Sequence, residues 1–165
     1  MSEMNIAITG ASGFIGKRLT VRLRAEGHGV IPVSFRGASD AAAKDVETVA
    51  KKIEGCAAVI HLAGEPVAQR WTDASKKRIL ESREKGTRLI VDAIGKLEQK
   101  PKLLISASGV GYYGSRGDEV LTETSAPGSD FLAEVCKAWE AEARKAEAFG
   151  VRVVNPRIGV VLGSD

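Results

Sequence analysis

The 165-residue chain is poor in aromatic residues, which make up 5% of it, and has only two cysteines. Few rings are available to stack nucleobases. Lys and Arg are scattered among acids for a net charge of +3, so no basic stripe marks a nucleic-acid surface and no nucleic-acid partner is expected. Cys56 and Cys136 make no metal-binding spacing and are expected to stay reduced. Long apolar runs are missing too. None approaches the roughly 18 residues a membrane helix needs, and the N-terminus shows no signal-peptide apolar region. A cytoplasmic location without a membrane partner is expected. Internal repeats and low-complexity tracts are absent. The 44% hydrophobic and 27% charged residues that remain exclude wholesale disorder and suit one domain with a real core.

Against this ordinary background, residues 6–16 read Ile-Ala-Ile-Thr-Gly-Ala-Ser-Gly-Phe-Ile-Gly. A short apolar run breaks into Gly10-x-x-Gly13-x-x-Gly16, and an amphipathic helix pattern follows at once, the context in which a glycine-rich motif carries meaning. Gly10 permits a tight turn, Gly13 lets backbone approach a pyrophosphate, and Gly16 lets the helix pack closely on its strand. The helix opening at Phe14, Ile15 and Gly16 then presents free N–H groups and a positive dipole end to phosphates. The pattern points to dinucleotide binding.

Strands and helices alternate along the rest of the chain. The patterning predicts strands at Met4–Thr9, Gly29–Phe35, Ala57–Leu62, Lys102–Ser106 and Val151–Asn155. It predicts helices at Phe14–Glu26, Asp40–Ile53, Asp73–Leu97 and Asp130–Phe149, with a glycine-rich loop over Gly109–Gly128. Phe14, Ile15, Leu19 and Leu23 form the expected inward face of the first helix. Pro32 hints at an edge or irregular position in the second strand. Strands spaced by helices of this length imply an α/β, doubly wound parallel sheet with helices on both faces. Val160–Asp165 reads as a short segment heading into a loop. Residues 1–165 are therefore expected to be one cofactor-binding domain, with a C-terminal substrate-binding part lying beyond it.

Four motifs carry a family resemblance: Thr9-Gly-Ala-Ser-Gly-Phe-Ile-Gly16, His61-Leu-Ala-Gly64, Ser106-Ala-Ser-Gly-Val-Gly-Tyr-Tyr-Gly114 and Arg157-Ile-Gly-Val-Val-Leu-Gly163. Together they resemble the extended short-chain dehydrogenase/reductase superfamily, whose domain is of the Rossmann type. With Phe131-Leu-Ala-Glu-Val-Cys-Lys-Ala-Trp-Glu140, the chain looks like an atypical subgroup of nucleoside-diphosphate-sugar epimerases whose true reaction is generally not known. The resemblance implies that Leu62, Ala63 and Gly64 border the nicotinamide half of a cofactor, with Ser106, Ala107 and Ser108 on its other side.

The departures matter as much. The superfamily works with a Tyr-x-x-x-Lys pair, and none occurs in this chain. Aligned on Glu140, Leu132 stands at the tyrosine position and Cys136 at the lysine position, and neither can do that acid–base work. Arg83 stands where the superfamily usually has Asn before x-x-Gly-Thr. It is read either as an exposed helix arginine or as a stand-in for the lysine, holding a phosphate, a ribose or a substrate carboxylate. Ser108 is read as the residue orienting a substrate oxygen or as a turn serine. Tyr112 and Tyr113 are the only tyrosines, so any phenolic acid must be one of them, with Tyr113 leading. Cys136 by default is a small buried hydrophobe, His61 a satisfied core residue, and Trp71 and Trp139 core or interface anchors.

NADP(H) is the expected cofactor. An acid ending the second strand would bind the adenosine ribose and repel a 2′-phosphate. Here that strand runs into Arg36, a guanidinium suited to a forked grip on phosphate, and Ser34 or Ser12 could add a hydroxyl. Two functions stay open: an NADP-dependent oxidoreductase or nucleotide-sugar epimerase with an atypical acid, or an NADP(H)-binding regulatory or sensor protein without turnover. A nucleotide sugar or a carbonyl compound is the expected small-molecule substrate, and a homodimer is left open.

Overall fold

The computed structural model describes residues 3–34 and 45–163. Five parallel strands, β1 (Asn5–Thr9), β2 (Gly29–Val33), β3 (Ala58–His61), β4 (Leu103–Ser106) and β6 (Arg152–Val154), form one sheet in the order β2-β1-β3-β4-β6. The α-helices are α1 (Phe14–Ala25), α2 (Val46–Ile53), α3 (Asp73–Lys96) and α4 (Phe131–Arg144). The expected doubly wound α/β fold is present. Ile6, Ile8 and Ile60 face α1, packed by Leu19 and Leu23. The opposite face, through Ala7, Val59 and Leu104, packs on Val49 and Ile53 of α2, Ile90 and Ile94 of α3 and Ala143 of α4. A strand covered on both faces must be apolar throughout, which accounts for the near-continuous apolar run of β3.

The differences from the expected elements are local. Helix α4 stops at Arg144 and tightens into a 3-10 turn over Lys145–Phe149, closed by Gly150 in the left-handed region. A pattern of apolar spacing cannot separate these two helix types. The loop after β4 also holds unexpected order: β5 (Ser108–Gly109) pairs in parallel with β7 (Arg157–Ile158), and a 3-10 turn spans Val110–Tyr113. Two-residue strands leave no periodic signal to read. Phe14 does not turn inward; it is 36% exposed, with the Arg18 guanidinium carbon 4.3 Å from its ring centroid, so the ring packs on its own helix's cation instead of on the sheet. Among the described residues no helix is long and apolar enough to cross a membrane.

Register aligns the carboxyl ends of the central strands. Thr9 lies opposite Val33 on one side and His61 on the other, and His61 lies opposite Ser106. The motif residues of three strands thus share one edge, where an open parallel sheet forms its ligand crevice.

Candidate functional site

At the β1 end of that edge the backbone itself forms the surface. Gly10 adopts a φ of +71°, and a Cβ there would meet the backbone of Leu62 and Ala63 at 3.1 Å. A Cβ on Gly16 would collide with the Gly10 carbonyl, so only glycine allows α1 to approach the loop this closely. Helices α2, α3 and α4 are capped at their N-termini by Asp45, Thr72 and Asp130, whereas no side chain caps α1 and its first turn holds no acid. Its leading N–H groups are left for a ligand. A cavity of about 1070 Å³ opens here, lined by Gly10–Gly13, Pro32–Ser34 and Leu62–Glu65, with α3 forming its far wall. Ser12 and Ser34 both line it. Arg36 lies outside the described residues. A glycine cradle that side chains would fill, an uncapped helix and a long crevice fit the pyrophosphate of a dinucleotide.

Beneath the cradle a buried chain of hydrogen bonds fixes the turn after β3. Thr9 Oγ1 accepts from the N–H groups of Leu62 and Ala63 at 3.1 and 3.2 Å, so its own proton goes to His61 Nδ1 at 2.6 Å. The imidazole then donates from Nε2 to Thr87 Oγ1 on α3 at 3.1 Å. Burial, and secondarily the Arg83 charge, pushes the His61 pKa down to about 4, so the ring is neutral. His61 is the satisfied core residue it was read to be.

Arg83 is no exposed helix arginine. It is 8% exposed, donates Nη1 to the carbonyls of Glu65 and Ile79 at 3.0 and 3.2 Å, and lies 4.9 Å from the centroid of the buried Trp139 ring. Gly64 leaves room for it, since a Cβ there would stand 3.1 Å from the guanidinium carbon. Burial pushes its pKa down, opposed by Cys136 and Glu65.

One strand further along, the residues read as candidates for chemistry form a closed network. Ser108 donates to Glu140 Oε1 at 2.7 Å. Arg157 grips the same carboxylate with two nitrogens, at 2.8 and 2.9 Å, and donates Nη1 to the Tyr113 hydroxyl at 2.8 Å. Its guanidinium carbon is 3.4 Å from the Tyr112 ring centroid. Ser108, Tyr113 and Glu140 are all buried. Burial raises the Glu140 pKa, but the hydrogen bonds from Arg157 and then Ser108 outweigh it and hold the carboxyl ionised. The cavity at the glycine loop is not lined by Ser106, Ser108 or Tyr113. Cys136 makes a weak 3.6 Å contact to the Gly109 carbonyl, and burial pushes its thiol up, so it is a protonated, packed side chain. Leu132 packs against Gly111. Trp71, by contrast, is 42% exposed and meets Phe131 edge-on. Among the described residues no cluster suits a metal ion.

Sequence reading treated Glu140 only as an alignment landmark and missed its role at the centre of this network. A signal was present. Ala133, Cys136, Glu140 and Ala143 fall on one helical face, and an acid among small apolar residues there demands a buried cation. Nothing in the pattern named Arg157 as that cation.

The sheet, its order and the glycine-lined edge define a dinucleotide-binding Rossmann domain. The model of the NAD dependent epimerase/dehydratase family matches residues 6–165, and the chain belongs to that family. It is 44% identical over 178 residues to the Arabidopsis thaliana "Epimerase family protein SDR39U1 homolog, chloroplastic", covering 99% of this chain and 51% of that protein. The human epimerase family protein SDR39U1, solved with NADPH, superposes with a TM-score of 0.83 at 33% identity, over 98% of this chain and 56% of that one. A nucleoside-diphosphate sugar epimerase from Corynebacterium glutamicum gives a TM-score of 0.79 at 37% identity, over 94% of this chain and 34% of that one. These relatives bear out the resemblance to an atypical subgroup of the extended short-chain dehydrogenase/reductase superfamily. The chain spans about half the length of the curated relatives it matches.

Proposed function

We propose that this chain is the NADP(H)-binding half of an oxidoreductase or nucleotide-sugar epimerase. The observation that carries the reading is the uncapped N-terminus of α1 behind the Gly10–Gly16 loop, opening on a long cavity at the sheet's carboxyl edge. Gly10, Ser12, Gly13 and the N–H groups of Phe14, Ile15 and Gly16 would hold the pyrophosphate. Leu62, Ala63, Gly64 and Ser106 would border the nicotinamide half. Ser34, with Arg36 two residues further on, would receive the 2′-phosphate; no acid stands among the described residues at the end of β2 to repel it. The human relative's NADPH supports the phosphorylated cofactor. Titration of the chain with NADPH and NADH tests this. NADPH should bind more tightly, by a margin that Arg36→Ala removes; equal affinities unchanged by that substitution would sink the NADP(H) assignment.

Bound cofactor supplies hydride transfer, and the protein's residues must handle the proton. Tyr113 is the group we assign to it. Arg157 donates to its oxygen, a fixed cation beside a phenol in a chain that lacks the superfamily's lysine. Ser108 would orient the substrate oxygen. With a known substrate and a full-length protein, Tyr113→Phe should lower turnover roughly a hundred-fold or more and leave NADPH affinity nearly unchanged. Full activity in that variant would remove Tyr113 from the chemistry.

A second reading, an NADP(H)-binding sensor without turnover, is favoured by one observation. Ser108 is 4% exposed and its hydroxyl proton is committed to Glu140. Absence of turnover on a panel of carbonyl compounds and nucleotide sugars, together with tight NADPH binding, would select it.

A further inference from the structure

Among the described residues Arg83 presents a charge without a counter-ion. Its guanidinium is flanked by the Gly64 backbone, where a Cβ would lie 3.1 to 3.3 Å from the guanidinium carbon and both terminal nitrogens, and by the Trp139 ring. Both of its hydrogen bonds use Nη1, and both acceptors are carbonyls. Among the described residues neither Nε nor Nη2 has an acceptor, and no carboxylate lies within ion-pair distance. Glu65, the acid in electrostatic range, is paired with Arg78 at 3.7 Å. A buried, unpaired cation is costly unless something neutralises it. The side of the guanidinium left over, Nε with Nη2, is the forked edge that matches a carboxylate with two parallel hydrogen bonds.

Two more donors in the same layer are idle. Ser106 Oγ and Trp139 Nε1 are buried without a partner among the described residues. Ser106 lies opposite His61 in the sheet register, and the His61 ring meets the Trp139 ring edge-on at 6.4 Å. The pyrophosphate does not answer this need, because the glycine loop and α1 already offer it donors on the other side of β3. A ribose does not answer it either, because it is neutral.

We propose that Arg83 anchors a carboxylate of the substrate, so that this site takes an acidic hydroxy or carbonyl compound, such as a uronic acid or a 2-hydroxy acid. The proposal rests on the cofactor reading above only for the statement that the anchored molecule is the one that reacts. The carboxylate supplies the missing negative charge, and the buried Ser106 Oγ at the end of β4, without a partner among the described residues, is the donor that would meet its hydroxyl or carbonyl.

Trp139 offers the measurement, since it packs on the guanidinium. In a Trp71→Phe background it is the sole tryptophan, and its fluorescence is titrated with glucuronate against glucuronamide and with lactate against lactamide. Each pair differs only in the charge of the carboxyl group. At least one carboxylate should give a saturable change with affinity roughly ten-fold or more above its amide, a preference that Arg83→Gln abolishes and Arg83→Lys retains only in part. Amides binding as well as acids, no saturable response to either acid, or undiminished acid binding in Arg83→Gln would each overturn the proposal. If Arg83→Gln fails to fold by circular dichroism, the acid–amide comparison in the Trp71→Phe chain decides alone. NADPH affinity, measured separately on the same Trp71→Phe chain, distinguishes failure of the cofactor reading from failure of this one.

Discussion

The glycine-lined crevice and the region around β5 and β7 are built on opposite plans. Around β1 and α1 the surface is backbone, the helix terminus lacks a cap, and polar groups are left for a ligand. Around β5, β7 and α4 the polar groups satisfy each other: Ser108, Glu140, Arg157 and Tyr113 form one connected network. Open donors next to glycine suit a ligand that comes and goes. An ion pair with a buried carboxylate and several hydrogen bonds sets the position of a loop, here the one that carries both tyrosines. The contrast separates an open, ligand-ready surface from a loop that is held rigid, with the Tyr113 hydroxyl as the network's last member.

Three perturbations sharpen the contrast. The largest effect should come from Glu140→Ala, which leaves the buried Ser108 hydroxyl and the half-buried Arg157 without their carboxylate acceptor. We expect a loss of about 3–5 kcal/mol in urea or thermal unfolding, whereas a cost below about 1 kcal/mol would mean that the network is no more than a surface ion pair.

Acid comes next. The unfolded chain protonates His61 near its usual 6.5, while in the folded protein the ring resists until about 4. The stability tied to the neutral ring is therefore complete above about pH 6.5 and falls as the pH drops from there to about 4, by on the order of 3 kcal/mol. Glu140, whose pKa is depressed, adds a loss at lower pH as its carboxyl protonates. Unfolding measured from pH 7 to 4 should show this slope, and His61→Gln should flatten its upper part. An unchanged slope would move the acid sensitivity away from the Thr9–His61–Thr87 chain.

The smallest effect on stability should come from Gly13→Ala. A Cβ there meets the Gly10 carbonyl at 3.2 Å, a contact relieved by a small shift, so unfolding should change by about 1 kcal/mol or less. The methyl group nevertheless stands where a phosphate would approach, and NADPH affinity should fall roughly ten-fold or more. A variant that binds NADPH like the parent would place the pyrophosphate elsewhere.

The fold was legible because its signals are local and repeat: apolar strands, helices with one apolar face, and Gly10-x-x-Gly13-x-x-Gly16 between them. Ser12, Ser34, Leu62, Ala63 and Gly64 were legible as cavity-lining positions for the same reason, since strand ends in a parallel sheet share an edge. The network at β5 and β7 was not. Its members lie as far apart in sequence as Ser108 and Arg157, and its strands are two residues long.

By itself, then, the sequence determined the sheet, the glycine cradle and the loss of Tyr-x-x-x-Lys, because strand and helix periodicity and glycine's missing side chain act over a few residues. That Arg83 is buried without a counter-ion among the described residues, that Glu140 holds Ser108 and Arg157, and that His61 is neutral emerges only in the folded protein. Those are properties of desolvation and of partners brought together across the fold, and no spacing along the chain encodes how deeply a charge is buried or what stands beside it.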